Sequence, residues 1–132
     1  MKNETAFSRE LKLIIQSVGG IYFKIHGHAM QESGWPDSYI SHPFWRGWVE
    51  LKNGDRKVTK LQQEKMSRLI NCKDQVLALR FKDGIITAEW KWEVIGTFSE
   101  DAWKQKMGQT RAWRLFDFLR LNSARINREE GN

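Results

Sequence analysis

Residues 36–52 read PDSYISHPFWRGWVELK, with Pro36-Asp37 at one end and Glu50-Leu51-Lys52 at the other. Residues 37–41 read as a short strand and His42–Arg46, which carries Pro43, as a turn. Gly47–Lys52 reads as the strand that follows. Successive side chains on a strand point to opposite faces. Glu50 and Lys52 therefore share a face, about 6.6 Å apart along the strand. Asp37 begins the preceding strand, so pairing of the two strands would bring two carboxyls and one ammonium together. The plainer alternative is a turn aspartate and a surface Glu–Lys pair.

Outward from this stretch the pattern alternates between helix and strand. Phe7, Leu11, Ile14, Ile15 and Val18 recur at helical spacing, which predicts a helix over 4–18 stopped by Gly19-Gly20. Ile21–Ile25 reads as a strand and His26–Pro36 as a loop. Downstream, Asn53–Lys57 is a charged loop, and Thr59 is placed to cap a helix from Lys60 to about Asn71. Val76–Phe81 and Ile85–Val94 read as a hairpin turning at Asp83-Gly84. Ser99, followed by Glu100 and Asp101, predicts a helix ended by Gly108. A last helix over Arg111–Arg125 would bury Trp113, Phe116 and Leu119. The expected order is helix, three strands, helix, hairpin and two helices. This is an α/β (or α+β) arrangement in one domain over residues 1–132, with a core of about 4–95 and a helical extension of about 96–132.

The 132 residues suit one domain, and 40% hydrophobic residues with seven Trp supply a core and exclude a disordered chain. A net charge of +6 favours polyanionic partners, nucleic acid first. Cys72 stands alone, which excludes an intramolecular disulfide. No apolar run reaches the ~18 residues of a membrane span, and Met1–Glu10 lacks a signal-peptide core. No membrane partner and a cytoplasmic location are expected.

If Asp37 and Glu50 converge, their oxygens suit a hard divalent cation such as Mg²⁺. Such an ion polarises a phosphoryl oxygen and lowers the pKa of a bound water. A nearby lysine orients that water or neutralises developing charge. Two more polar residues fall near the apolar stripes. Gln62 shares a helix face with Met66 and Leu69, and it also fits a capping box with Thr59. Glu4 shares a face with Phe7 and Leu11, and it is also a favourable acid at a helix N-terminus, preferred over Glu10 for a catalytic role.

The ordered set Glu4, Lys24-Ile25-His26-Gly27, Gln31, Gly34-x-Pro36-Asp37, Glu50-Leu51-Lys52 and Thr59-x-x-Gln62 resembles the virus-type replication-repair nucleases (VRR-NUC), a branch of the PD-(D/E)XK superfamily. The resemblance spans roughly residues 4 to 70. It implies a restriction-endonuclease-like core, a mixed sheet flanked by helices, here followed by extra C-terminal helices. It implies Asp37 and Glu50 as metal ligands, Lys52 as the catalytic lysine, Gln62 in support and Glu4 completing an acidic cluster. The cofactor implied is Mg²⁺ or Mn²⁺, and the activity is DNA phosphodiester hydrolysis. Stand-alone members, often from phages, act on branched DNA, commonly as dimers. The chain departs from the usual pattern at the aromatic turn His42-Pro43-Phe44-Trp45-Arg46 and in its continuation beyond Gly96.

Lys24 and His26 suit a loop passed by a DNA backbone, as does Gln31 by the resemblance; His28 reads equally as a polar loop residue. Without further ligands at suitable spacing, the two histidines do not read as a zinc site. Arg111, Arg114, Arg120, Arg125 and Arg128 form a basic C-terminal set that suits phosphates or is a solvated face. Trp45, Trp48, Trp103 and Trp113 read either as core or as a self-complementary patch for a homodimer. A nucleic-acid-binding module without catalysis is the alternative function.

Overall fold

A computed structural model of the chain describes residues 3–25, 34–91, 93–99 and 110–130; the side chains of Ser99, Thr110, Arg111, Glu129 and Glu130 stand outside this set. Asn3 caps the first helix, its side chain accepting from the Ala6 amide, and α1 runs Glu4–Ser17 with Phe7, Leu11, Ile14 and Ile15 buried. Three strands follow: β1 Ile21–Lys24, β2 Ser38–His42 and β3 Trp45–Asn53. Helix α2, Lys60–Asn71, leads to β4 Val76–Lys82, β5 Ile85–Trp90 and β6 Glu93–Ser99. The last helix, α3, spans Thr110–Glu130.

The strands form one six-stranded sheet in chain order. Neighbours are antiparallel except β3 and β4, which are parallel because α2 carries the chain back between them. The sheet is therefore mixed, as expected. α1 and α3 cover one face. Tyr22 meets Ser8 of α1 through their hydroxyls, the Trp45 indole donates to Ser123 of α3, and the His42 ring stacks on Phe116. α2 lies on the opposite face, where Gln62 reaches Glu50. Ile40, Val49, Leu51, Leu77 and Leu79 fill the middle of the sheet and are buried.

Three expectations are corrected. The run Ile85–Val94 is two strands, because the chain reverses at Lys91, which adopts a φ of 49°. The apolar alternation runs unbroken through Trp90 and Val94, so it carries no mark of the turn. The helical extension expected from 96 begins later, since residues 96–99 complete β6. Ser99 ends that strand, and the helix expected up to Gly108 lies outside the described residues. Trp113 is not buried but 38% exposed, while Phe116 and Leu119 are in the core. Trp45, one of the surface-patch candidates, is core as well, at 3% exposure. Trp103 is outside the described residues.

β6 approaches α3 closely at Gly96, where an added Cβ would stand 2.2 Å from Oδ1 of Asn122. Asn122 is buried and donates to the Phe118 carbonyl, so it cannot swing aside without losing that bond. Gly96→Ala is therefore expected to lower unfolding free energy by about 1–3 kcal/mol, the usual range for an overpacked core. Urea unfolding measures it, and an unchanged midpoint would show that β6 and α3 are not in close contact.

Candidate metal and phosphodiester site

Glu50 sits in the centre of β3 with no solvent exposure, on the α2 face of the sheet. Asp37 immediately precedes β2, and the β2–β3 register, Ser38 opposite Val49, brings it beside Glu50. The two residues interlock. The Asp37 amide donates to Oε1 of Glu50 at 3.1 Å, and the Leu51 amide donates to Oδ2 of Asp37 at 2.8 Å. Lys52, also buried, holds its Nζ 3.8 Å from Oε2 of Glu50. Gly34, at a φ of +90°, lets the preceding turn pack against α2; a Cβ there would lie 2.9 Å from the Leu61 carbonyl.

Gln62 serves both roles suggested by its position. Its Oε1 accepts from the Thr59 amide at 2.9 Å, while its own amide N–H is 3.1 Å from Oγ1 of Thr59, closing the capping box. Its Nε2 donates to Oε2 of Glu50 at 2.7 Å. The cap fixes the amide so that its NH₂ end faces the carboxyl.

Burial pushes the Glu50 carboxyl up to about 9, reinforced by the negative charge of Asp37 and a hydrogen bond between the two carboxyls. Lys52 and the Asp37 amide pull the other way without prevailing. Glu50 thus favours its protonated form at neutral pH while the chain is alone. This donor set fits a divalent cation: two hard oxygen donors are pressed together with one lysine too weak to offset their repulsion.

Glu4 does not complete a three-acid cluster. Among the described residues no group of three His, Cys, Asp or Glu is placed to hold a metal ion. Glu4 stands at the start of α1, with Oε1 3.5 Å from Nη1 of Arg56 but without a hydrogen-bond partner. Lys24 is exposed on β1 at the register of Ser38, which alternation places on the face opposite Glu50. Arg114 is exposed on α3, in the layer across the sheet from Glu50. His26, His28 and Gln31 lie outside the described residues, as does the Arg111 side chain. Arg120 packs over the Phe44 ring, 4.4 Å from its centroid, and Arg125 donates to the Ile95 carbonyl, so two of the basic set serve the fold.

Sequence reading missed Arg80. It stands beside Lys52 in the β3–β4 register, pairs with Glu89 at 2.5 Å and donates to the Gly54 and Arg56 carbonyls. It fastens the loop between Lys52 and α2 to the sheet. Alternation along Val76–Lys82 predicts its face, but only the parallel pairing shows its neighbour.

No family model matches the sequence, and no curated protein matches it. A solved structure that it resembles is that of Archaeoglobus fulgidus Hjc, a Holliday junction resolvase from an archaeal hyperthermophile. The TM-score is 0.50 at 11% identity, over 79% of this chain and 83% of that one. The two chains share a fold. This chain therefore has the restriction-endonuclease-like architecture expected of it, a mixed sheet flanked by helices. No helix among the described residues is long and apolar enough to cross a membrane.

The raised Glu50 value has a consequence for stability. The folded chain keeps a proton that the unfolded chain releases above its ordinary value of 4.5. The stability tied to that proton is full below about pH 4.5 and is lost as pH rises towards about 9. With chelator present, Glu50→Gln, which cannot ionise, should gain on the wild type in urea midpoint across this interval. Parallel pH curves for the two proteins would contradict the assignment.

Proposed function

We propose that the chain is a metal-dependent DNA endonuclease of the virus-type replication-repair branch, hydrolysing phosphodiester bonds in branched DNA. The observation that carries this reading is the convergence of Asp37, Glu50, Lys52 and Gln62 on one face of a resolvase-like fold. Asp37 and Glu50 would hold Mg²⁺ or Mn²⁺, which when bound activates a water and polarises the phosphoryl group.

The chain's own groups do the rest. Gln62, oriented by Thr59, donates to Glu50 and fixes the rotation of its carboxyl. The Leu51 amide does the same for Asp37. Lys52 supplies an ammonium to a non-bridging oxygen as charge builds there. The net charge of +6 suits the DNA backbone. That the similar solved chain is a Holliday junction resolvase supports a four-way junction as the substrate.

One site makes one nick, and resolving a junction takes two, so the acting form in this reading is a two-fold dimer in the cytoplasm. Phe44 and Trp113, both partly exposed with ring centroids 5.3 Å apart, supply apolar surface for it on the side away from Glu50.

The test is cleavage of linear, flapped and four-way DNA in Mg²⁺ or Mn²⁺. The wild type should cut the branched forms, in four-way DNA on paired strands. Asp37→Asn and Glu50→Gln should abolish cutting, and Lys52→Ala should slow it about 10²- to 10³-fold. Binding of DNA without cutting by the wild type would instead favour a non-catalytic nucleic-acid-binding module. Unchanged turnover in the variants would remove the site.

A further inference from the structure

A row of aromatic rings runs across β1, β2 and β3 beside the carboxyl pair. Phe23 stands opposite Tyr39, and Tyr39 opposite Trp48. The Tyr39 and Trp48 rings meet edge-on with centroids 5.0 Å apart, and Trp35 packs on Trp48 at 5.3 Å. Tyr22 turns towards α1, so its neighbour Phe23 points to the other face, which bears Glu50. Phe23 is 60% exposed there. The row lies two residues along the strands from Asp37 and Glu50, about 7 Å away.

Cations flank the row. Lys65 of α2 holds its Nζ 4.8 Å from the Trp35 ring centroid. Arg46, exposed, stands two residues before Trp48 on β3 and shares its face.

We infer that this row is a stacking platform for an unpaired nucleobase, with Phe23 as its open end. Every base presents a π-face, but a duplex keeps its faces covered by neighbouring pairs. Only a base released at a branch, flap or tail can lie on Phe23. Base–aromatic stacking adds affinity without reading sequence, and the adjacent cations take the phosphates. The local charge favours this occupant over a second copy of the chain: Lys65 and the exposed Arg46 stand beside the row and suit a phosphate backbone, whereas a two-fold contact here would set the Arg46 side chains of both copies near one another. The platform deepens the nuclease reading and rests on it for one consequence: the cut falls near an unpaired nucleotide.

The experiment uses a duplex with a single-stranded tail whose first unpaired base is 2-aminopurine, in EDTA so that nothing is cut. The wild type should quench the probe and prefer tailed over blunt duplex. Phe23→Ala, at an exposed edge position, should lose the quench and bind the tailed DNA about tenfold more weakly, whereas Phe23→Trp should keep both. An undiminished quench and preference in Phe23→Ala would overturn the inference. So would a fall to a smaller species in sedimentation of that variant, which would give the row to a second copy. Cleavage by the wild type in Mn²⁺ is scored separately: no cutting with the quench intact rejects the nuclease reading and retains the platform.

Discussion

Glu50 carries a carboxyl group with no solvent exposure in the middle of a sheet. A buried acid is costly unless its polar atoms are satisfied. The contacts that satisfy this one come from separate elements: the Asp37 amide from the start of β2, the Gln62 amide from α2 and the ammonium of Lys52 from β3 itself. A slip of one residue in the β2–β3 register would turn Glu50 into the apolar layer beneath α1 and α3. The register, the crossover through α2 and the capping box at Thr59 therefore all depend on one another through this side chain. Burial and the neighbouring Asp37 raise its carboxyl to about 9, against the opposing pull of Lys52.

The layers explain why the acid pair lies on the α2 side of the sheet. α1 and α3 take the apolar face, where Phe7, Leu11, Phe116 and Leu119 are fully buried. α2 covers only part of the other face, leaving Asp37, Lys52 and the aromatic row at the rim of the helix. Arg80 ties down the loop that links Lys52 to α2, so the lysine and the helix bearing Gln62 are held to the same strand pair. Shared architecture with a Holliday junction resolvase at 11% identity fits this division: the layers recur while the residues filling them differ.

Much of this was legible in the sequence. The period of Phe7, Leu11, Ile14 and Ile15 marks α1, and Thr59 with Gln62 marks the start of α2. Spacing alone puts Glu50 and Lys52 on one face. What escaped were features set by contacts distant along the chain. Lys91 turns the chain without a Gly or Pro signal, so β5 and β6 read as one strand. Trp45 and Trp113 look alike in sequence, yet one donates to Ser123 inside the core and the other stands at the surface. Glu4 shares the apolar stripe of α1, but its position at the helix start puts it against Arg56. Arg80 and Phe23 gained meaning only once the strand order was known.

In the proposed function Asp37 and Glu50 hold one cation between them, and the ion displaces the proton of Glu50. Calorimetric titration with Mn²⁺ near neutral pH, in buffers of different ionisation enthalpy, tests it most directly. One ion per chain should bind with release of close to one proton, and Asp37→Asn should lose both binding and release. Binding without proton release, or binding that survives in Asp37→Asn, would contradict it.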